Sequence, residues 1–133
     1  MDTRNQFPAT PEVQFAVKVI NVLHGLRKKL RRFDDGGSCE RNVNALEQLF
    51  AEHWINPDWG VVSHDPTGEE YSETRDDCDA EIAGESIDDL VIVETNKPII
   101  RLIDQREGAQ SSIVVQKGAV VARSRNESEE DNG

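Results

Sequence analysis

Aromatic side chains are scarce in this chain: two Trp, one Tyr and four Phe, 5% of 133 residues. Any hydrophobic core must therefore be modest and aliphatic. Cysteine is limited to Cys39 and Cys78, with no CxxC spacing. One disulfide could join them, but the free thiol is the form expected in a reducing cytosol. The three histidines, His24, His53 and His64, show no metal-ligand spacing, and a His/Cys zinc site would need ligands converging from four separate places. No metal and no cofactor is expected. No run of about 18 apolar residues is present, so no membrane-spanning helix is predicted. The opening MDTRNQFPATPEVQ lacks the apolar segment of a secretory leader, so a cytoplasmic location is expected.

Net positive charge is missing too. Fifteen Lys and Arg face 26 Asp and Glu, for a net charge of -11. That balance argues against nucleic acid or an anionic membrane as a bulk partner, since both need cationic surface. Nor is there a P-loop, GxGxxG, GxSxG, HExxH or kinase signature. Carboxylates are plentiful, yet nothing marks a pair held in a dry cleft for acid–base work. A nucleophilic Cys wants a nearby His or other base; Cys39, among Gly36-Gly37-Ser38 at a helix start that favours thiolate, is the best candidate, and the reading without chemistry is preferred. The expectation is a protein that is not an enzyme. The length fits one domain, or a small domain with a helical appendage, and excludes a large two-domain enzyme.

What is there divides by period. Residues 1–11 are polar, carry Pro8 and Pro11, and read as a disordered lead-in. Thr10-Pro11-Glu12 is a helix start: a Thr cap, proline at the first helical position, an acid in the first turn. The run to Phe33 is helical in pattern and roughly 33 Å long at 1.5 Å per residue. Ala16, Val19, Leu23, Leu26, Leu30 and Phe33 alternate spacings of three and four, the rhythm of a coiled-coil or bundle seam, and Phe15 and Val22 widen the stripe. Two readings fit: a helix lying on its own domain, or a seam shared between two chains in a homodimer. Asp34 to Ser38 ends the run. A second helix is predicted over Glu40–Trp54, with Ser38 as cap and Val43, Leu46, Leu49 and Phe50 on one face. Two such helices make an αα-hairpin, and two hairpins a four-helix bundle.

After Ile55-Asn56-Pro57 the period shifts towards two. Short strands are predicted at Gly60–Val62, Leu90–Val93, Pro98–Ile103, Ser112–Val115 and Gly118–Ala122. Asn96-Lys97-Pro98, Arg106-Glu107-Gly108 and Gln116-Lys117-Gly118 bound them, and Pro98 belongs at a strand start or on an edge. The fold class expected is α+β: a helical dimerisation region over 12–56, then a small, mostly antiparallel β-domain over 57–123. The tail 124–133 is acidic and read as disordered.

Charge is unevenly laid out. Pro11–Phe33 holds six bases and one acid, a net +5, whereas Asp65–Glu94 holds twelve acids and one base, Arg75, a net -11. The basic cluster Arg27 to Arg32 reads either as a nucleic-acid patch or as a solvated face with cations near a helix C-terminus. The second is favoured, because no aromatics are interleaved. The acidic stretch reads as a solvated loop or edge, as a docking face for a basic partner, or as a calcium loop; Asp76, Asp77, Asp79 and Glu81 lack the EF-hand order.

The order of these parts resembles GrpE-type nucleotide exchange factors. Trp59-Gly60-Val61-Val62 and Gly68-Glu69-Glu70-Tyr71 resemble the Gly-Val element and Gly-x-x-aromatic turn of that family's β-domain. Ser112-Ile113-Val114-Val115-Gln116-Lys117-Gly118-Ala119-Val120-Val121-Ala122 resembles its closing strand pair. The likeness spans residues 12–123 in architecture and short stretches in identity. Ser72 to Asp77 stands where the family has Asp-Pro and His-Glu-Ala, an Arg-Pro-Ala is missing before the last strand, and the long paired helix is a stub. The resemblance implies a dimeric co-chaperone that wedges open the nucleotide-binding domain of a DnaK-type chaperone so that ADP leaves. It implies Gly68, Glu69, Tyr71, Glu73, Asp76 and Asp77 as partner contacts. The alternative is a non-enzymatic adaptor or assembly subunit built from the same parts.

Overall fold

The computed structural model describes residues 11–33, 37–52, 58–106, 108 and 111–126. Most of the expected lead-in and acidic tail, Thr10, Asp34 to Gly36, His53, Trp54, Ile55 to Pro57 and Glu107 lie outside them. The architecture is α+β: α1 (Pro11–Leu30) and α2 (Ser38–Glu52) precede β1 (Trp59–His64), β2 (Cys78–Ala83), β3 (Leu90–Lys97), β4 (Ile99–Asp104), β5 (Ser112–Gln116) and β6 (Gly118–Ser124). The strands form two three-stranded sheets, ordered β1-β4-β5 and β2-β6-β3. Two compact units result, Met1–Ser63 with Ile100–Val115, and His64–Ile99 with Gln116–Gly133. The boundary expected at residue 57 separates helices from strands. By compactness, most of β1, most of β4 and most of β5 go with the helices.

In the first unit, α1 opens on Pro11 and Glu12 and closes on Arg27, Lys28 and Lys29, as the helix dipole favours. It ends at Leu30 rather than Phe33. The amides of Arg32 and Phe33 bond three residues back, to Lys29 and Leu30, which tightens the chain into a turn. Its buried face is Val13, Ala16, Ile20, Leu23, His24 and Arg27. Val13, Ala16 and Ile20 join Val61 of β1 and Ile100 and Leu102 of β4 in one core, flanked by Val17, Phe50 and Val115. The helix thus lies on its own sheet, for a physical reason: β4 supplies fully buried Ile100 and Leu102, and they need an apolar cover.

Helix α2 starts two residues before the expected Glu40. The carbonyl of Gly37, at φ +69°, accepts the Arg41 amide, so Gly37 rather than Ser38 is the half-in residue at this helix start. The αα-hairpin is antiparallel. Phe15 and Phe50 meet with ring centroids 6.0 Å apart, Arg27 donates to Asn44 at 2.7 Å and pairs with Glu47 at 3.2 Å, and Arg31 pairs with Glu40 at 2.7 Å. Two cations of the basic cluster are therefore engaged between the helices. Arg27 is buried, a position a guanidinium tolerates only when paired.

In the second unit β6 is the central strand. It pairs in parallel with β2, Cys78 opposite Gly118 through Ala83 opposite Arg123, and antiparallel with β3, with register shifts after Ile92 and Thr95. The sheet is mixed, one parallel pairing standing beside one antiparallel pairing. Strand β2 was not predicted. Four of the six residues of its sequence, CDAEIA, are Asp, Glu or Ala, and Cys78 is its one buried residue. Pairing with β6, not propensity, makes it a strand. The backbone packs closely at Gly118: a Cβ there would lie 3.0 Å from Ile99 Cγ1 and 3.4 Å from Cys78 Sγ, so a side chain would require Ile99 to give way. Pro98 sits between β3 and β4, where its missing N–H breaks no ladder.

In chemical denaturation at concentrations low enough to keep the chain monomeric, Ile20→Ala is expected to cost about 2–5 kcal/mol. Val22→Ala, on the opposite and 69% exposed side of α1, is expected to cost less than about 0.5 kcal/mol. Equal losses would mean that α1 does not bury this face.

Candidate functional site

The acidic stretch is organised by a turn and a guanidinium. Asp65 Oδ1 accepts from the Thr67 amide at 3.0 Å and its hydroxyl at 2.7 Å, the local bonding by which Asp starts a turn. Gly68 follows at φ +96°, a conformation glycine adopts without strain. Residues 68–71 then run beside β3. The amides of Gly68 and Tyr71 donate to the carbonyls of Ile92 and Leu90, and the Ile92 amide donates to Glu69. This brings Glu69 to His64 Nε2 at 2.5 Å and to Arg75 at 2.8 Å. Arg75 also holds Asp77 at 2.6 Å and the Glu70 carbonyl at 3.0 Å.

These contacts set the local electrostatics. Burial alone would raise the Glu69 pKa, but the bonds from His64 and Arg75 prevail and hold it below the usual carboxylate value. Arg75 is held more firmly protonated by its bond to Asp77, against the effect of burial. The Cys78 thiol, buried and next to Asp77, is pushed up to about 11. Both cysteines are free, Cys39 exposed and Cys78 buried. A thiol held protonated is a poor nucleophile, so Cys78 reads as a packing residue of β2.

Next to this cluster lies an open groove of about 660 Å³. Tyr71, Ala80, Ile82 and Leu90 supply its apolar lining, and Glu70, Glu73, Asp88 and Asp89 its carboxylates. Asp89 is in the left-handed region at φ 54°, which Asp tolerates better than most side chains. Its carbonyl accepts the Arg125 amide at 3.0 Å, and its carboxylate pairs with the Arg125 guanidinium at 2.6 Å. Arg125 also reaches Glu70 at 3.7 Å.

The six residues expected to contact a partner separate into three groups. Tyr71 and Glu73 line the groove. Glu69 and Asp77 are committed to Arg75, and Gly68 shapes the turn. Asp76 is exposed and is not among the lining residues. Sequence reasoning missed Ile82, Ile87, Asp88, Asp89 and Arg125. A signal was present in Ile82 and Ile87, two large apolar residues standing alone in an acidic run. Of the six seam residues, Ala16 and Leu23 are buried within this chain, Val19 and Leu30 are half-buried, and Leu26 and Phe33 are exposed. Phe15, Val22, Leu46 and Leu49 are exposed as well.

Among the described residues no three His, Cys, Asp or Glu side chains gather to hold a metal ion, and no helix is long and apolar enough to cross a membrane. Searches against protein-family models, curated proteins and solved structures found no match to this chain.

The folded Cys78 thiol keeps its proton to higher pH than an unfolded one, so the sign of its linkage is fixed. Stability is expected to fall as pH rises from about 8.5, the ordinary thiol value, towards about 11. Denaturation across that window in Cys78→Ala should lack this component of the slope. An identical pH dependence in the variant would show that the thiol is not held protonated by the fold.

Proposed function

We propose that the protein acts by binding another protein rather than by making or breaking bonds, as a GrpE-like co-chaperone that promotes ADP release from a DnaK-type chaperone. The observation that carries this reading is the groove on the second unit, with Tyr71 of the Gly68-Glu69-Glu70-Tyr71 element on its lining. The other segments of the resemblance support it: Trp59 to Val62 lies in β1, and Ser112 to Ala122 spans β5 and most of β6. An exchange factor of this kind prefers the open state of the chaperone's nucleotide cleft, and the difference in affinity for the two states drives release. Pre-steady-state release of a fluorescent ADP analogue from a DnaK-type chaperone should accelerate with added protein, by about tenfold for each 1.4 kcal/mol of preference for the open cleft. Unchanged release with the chaperone in excess rejects the exchange activity.

A second reading, an adaptor or assembly subunit with a GrpE-like fold, is favoured by Arg75. It stands in the segment where the family motif is replaced, and it ties up Glu69 and Asp77. A pull-down that recovers a different partner together with inert ADP release would favour this reading.

Homodimerisation belongs to the same proposal. The outer side of α1 carries Phe15, Val22 and Leu26 with half-buried Val19, and the turn beyond it Phe33, while α2 exposes Leu46 and Leu49. Two hairpins closing such faces against each other form a four-helix bundle. Leu23 is spent on the chain's own core, so the informative substitutions are Val22→Glu and Leu26→Glu. Sedimentation equilibrium should show a dimer that both changes convert to a folded monomer. A wild-type monomer at high micromolar concentration rejects the bundle.

A further inference from the structure

We propose that the groove on the second unit binds an extended basic segment of a partner protein, seating an apolar side chain on Tyr71, Ile82 and Leu90 while flanking cations pair with Glu73 and Asp88. This rests on the protein-docking reading above and does not depend on which partner it is. Three observations carry it.

The first is an apolar floor left open to water. Ile82 is 37% exposed on β2, and Ile87 at the lip of the groove is 72% exposed. With Tyr71, Ala80 and Leu90 they line one groove, so the apolar surface is contiguous rather than scattered. The second is spacing. Ala80 and Ile82 are alternate residues of one strand and project to the same side, about 7 Å apart. Alternate side chains of an extended peptide have the same separation, so a strand-like segment is matched in register.

The third is charge. The rim carboxylates belong to a stretch, Asp65–Glu94, with a net charge of -11, and the protein already shows what the rim accepts. The guanidinium of Arg125 sits on Asp89 at 2.6 Å and near Glu70 at 3.7 Å. An incoming arginine offers the same planar donor set to the remaining exposed carboxylates. Complementary charge of this kind chiefly raises the association rate and selects against acidic partners, while the apolar seat slows release.

The test uses the full chain and a short fluorescein-labelled peptide of alternating arginine and leucine. Glutamate-for-arginine and serine-for-leucine peptides serve as controls. Fluorescence anisotropy should show saturable binding of the first peptide alone, weakened about tenfold by Glu73→Gln with Asp88→Asn and more so at low salt. Ile82→Ser should weaken it as well, with an unchanged circular dichroism spectrum showing that the fold persists. In amide NMR spectra the bound peptide should shift Tyr71, Ile82 and Leu90. The proposal is overturned by no binding up to about 1 mM peptide, by equal binding of either control, or by indifference to Glu73→Gln with Asp88→Asn. Shifts at these residues on concentrating the protein alone would make a second copy the occupant and overturn it too. Peptide binding without accelerated ADP release keeps the groove and rejects the exchange factor. Accelerated release without peptide binding does the reverse.

Discussion

The second unit depends on one strand. β6 is the pairing partner of both β2 and β3, and β2 has little else to hold it. β2 carries Asp79 and Glu81 and buries Cys78 alone, so its order derives from its backbone ladder to β6 and from close packing at Gly118. β6 can serve this way because its alternate residues are small or slim. Gly118, Val120, Ala122 and Ser124 are all buried, and Ala122 lies between Ile82 and Ile92 across the sheet. Small side chains let two neighbouring strands close from either side without voids.

Charge is the opposing constraint. Twelve acids within 30 residues repel one another in the folded state more than in an extended chain. Arg75 answers this locally by gathering Glu69 and Asp77, and Arg125 does so at Asp89 and Glu70. Neutralisation is partial, and the acids left over lie beside apolar surface. A groove with an apolar floor and surplus carboxylates is unfavourable alone and favourable with a cationic, partly apolar segment in it. The function proposed here and the local energetics therefore share a cause.

The outer face of α1 poses the same question in apolar form. A stripe that spaces its residues by three and four has two sides available when it is wide enough. Val13, Ala16 and Ile20 go to the sheet and Leu23 is buried within the chain, which leaves Val22 and Leu26 outside. The heptad-like rhythm was plain in the sequence. Which residues of it are buried within this chain and which stay exposed was not, because period gives a face only to within the width of the stripe.

The two helices, five of the six strands and the segregation of charge are legible in the residues alone. All of these rest on local properties: side-chain period, proline and glycine placement, and the order of Asp, Glu, Lys and Arg. Tertiary structure alone decided the rest. It made an acidic hexapeptide into β2, since a parallel pairing with a strand 40 residues later leaves no local trace. It spent Glu69 and Asp77 on Arg75, brought Ile82 and Asp88 to the groove and set Arg125 on Asp89, since ion pairs and surfaces form between residues that only folding makes neighbours.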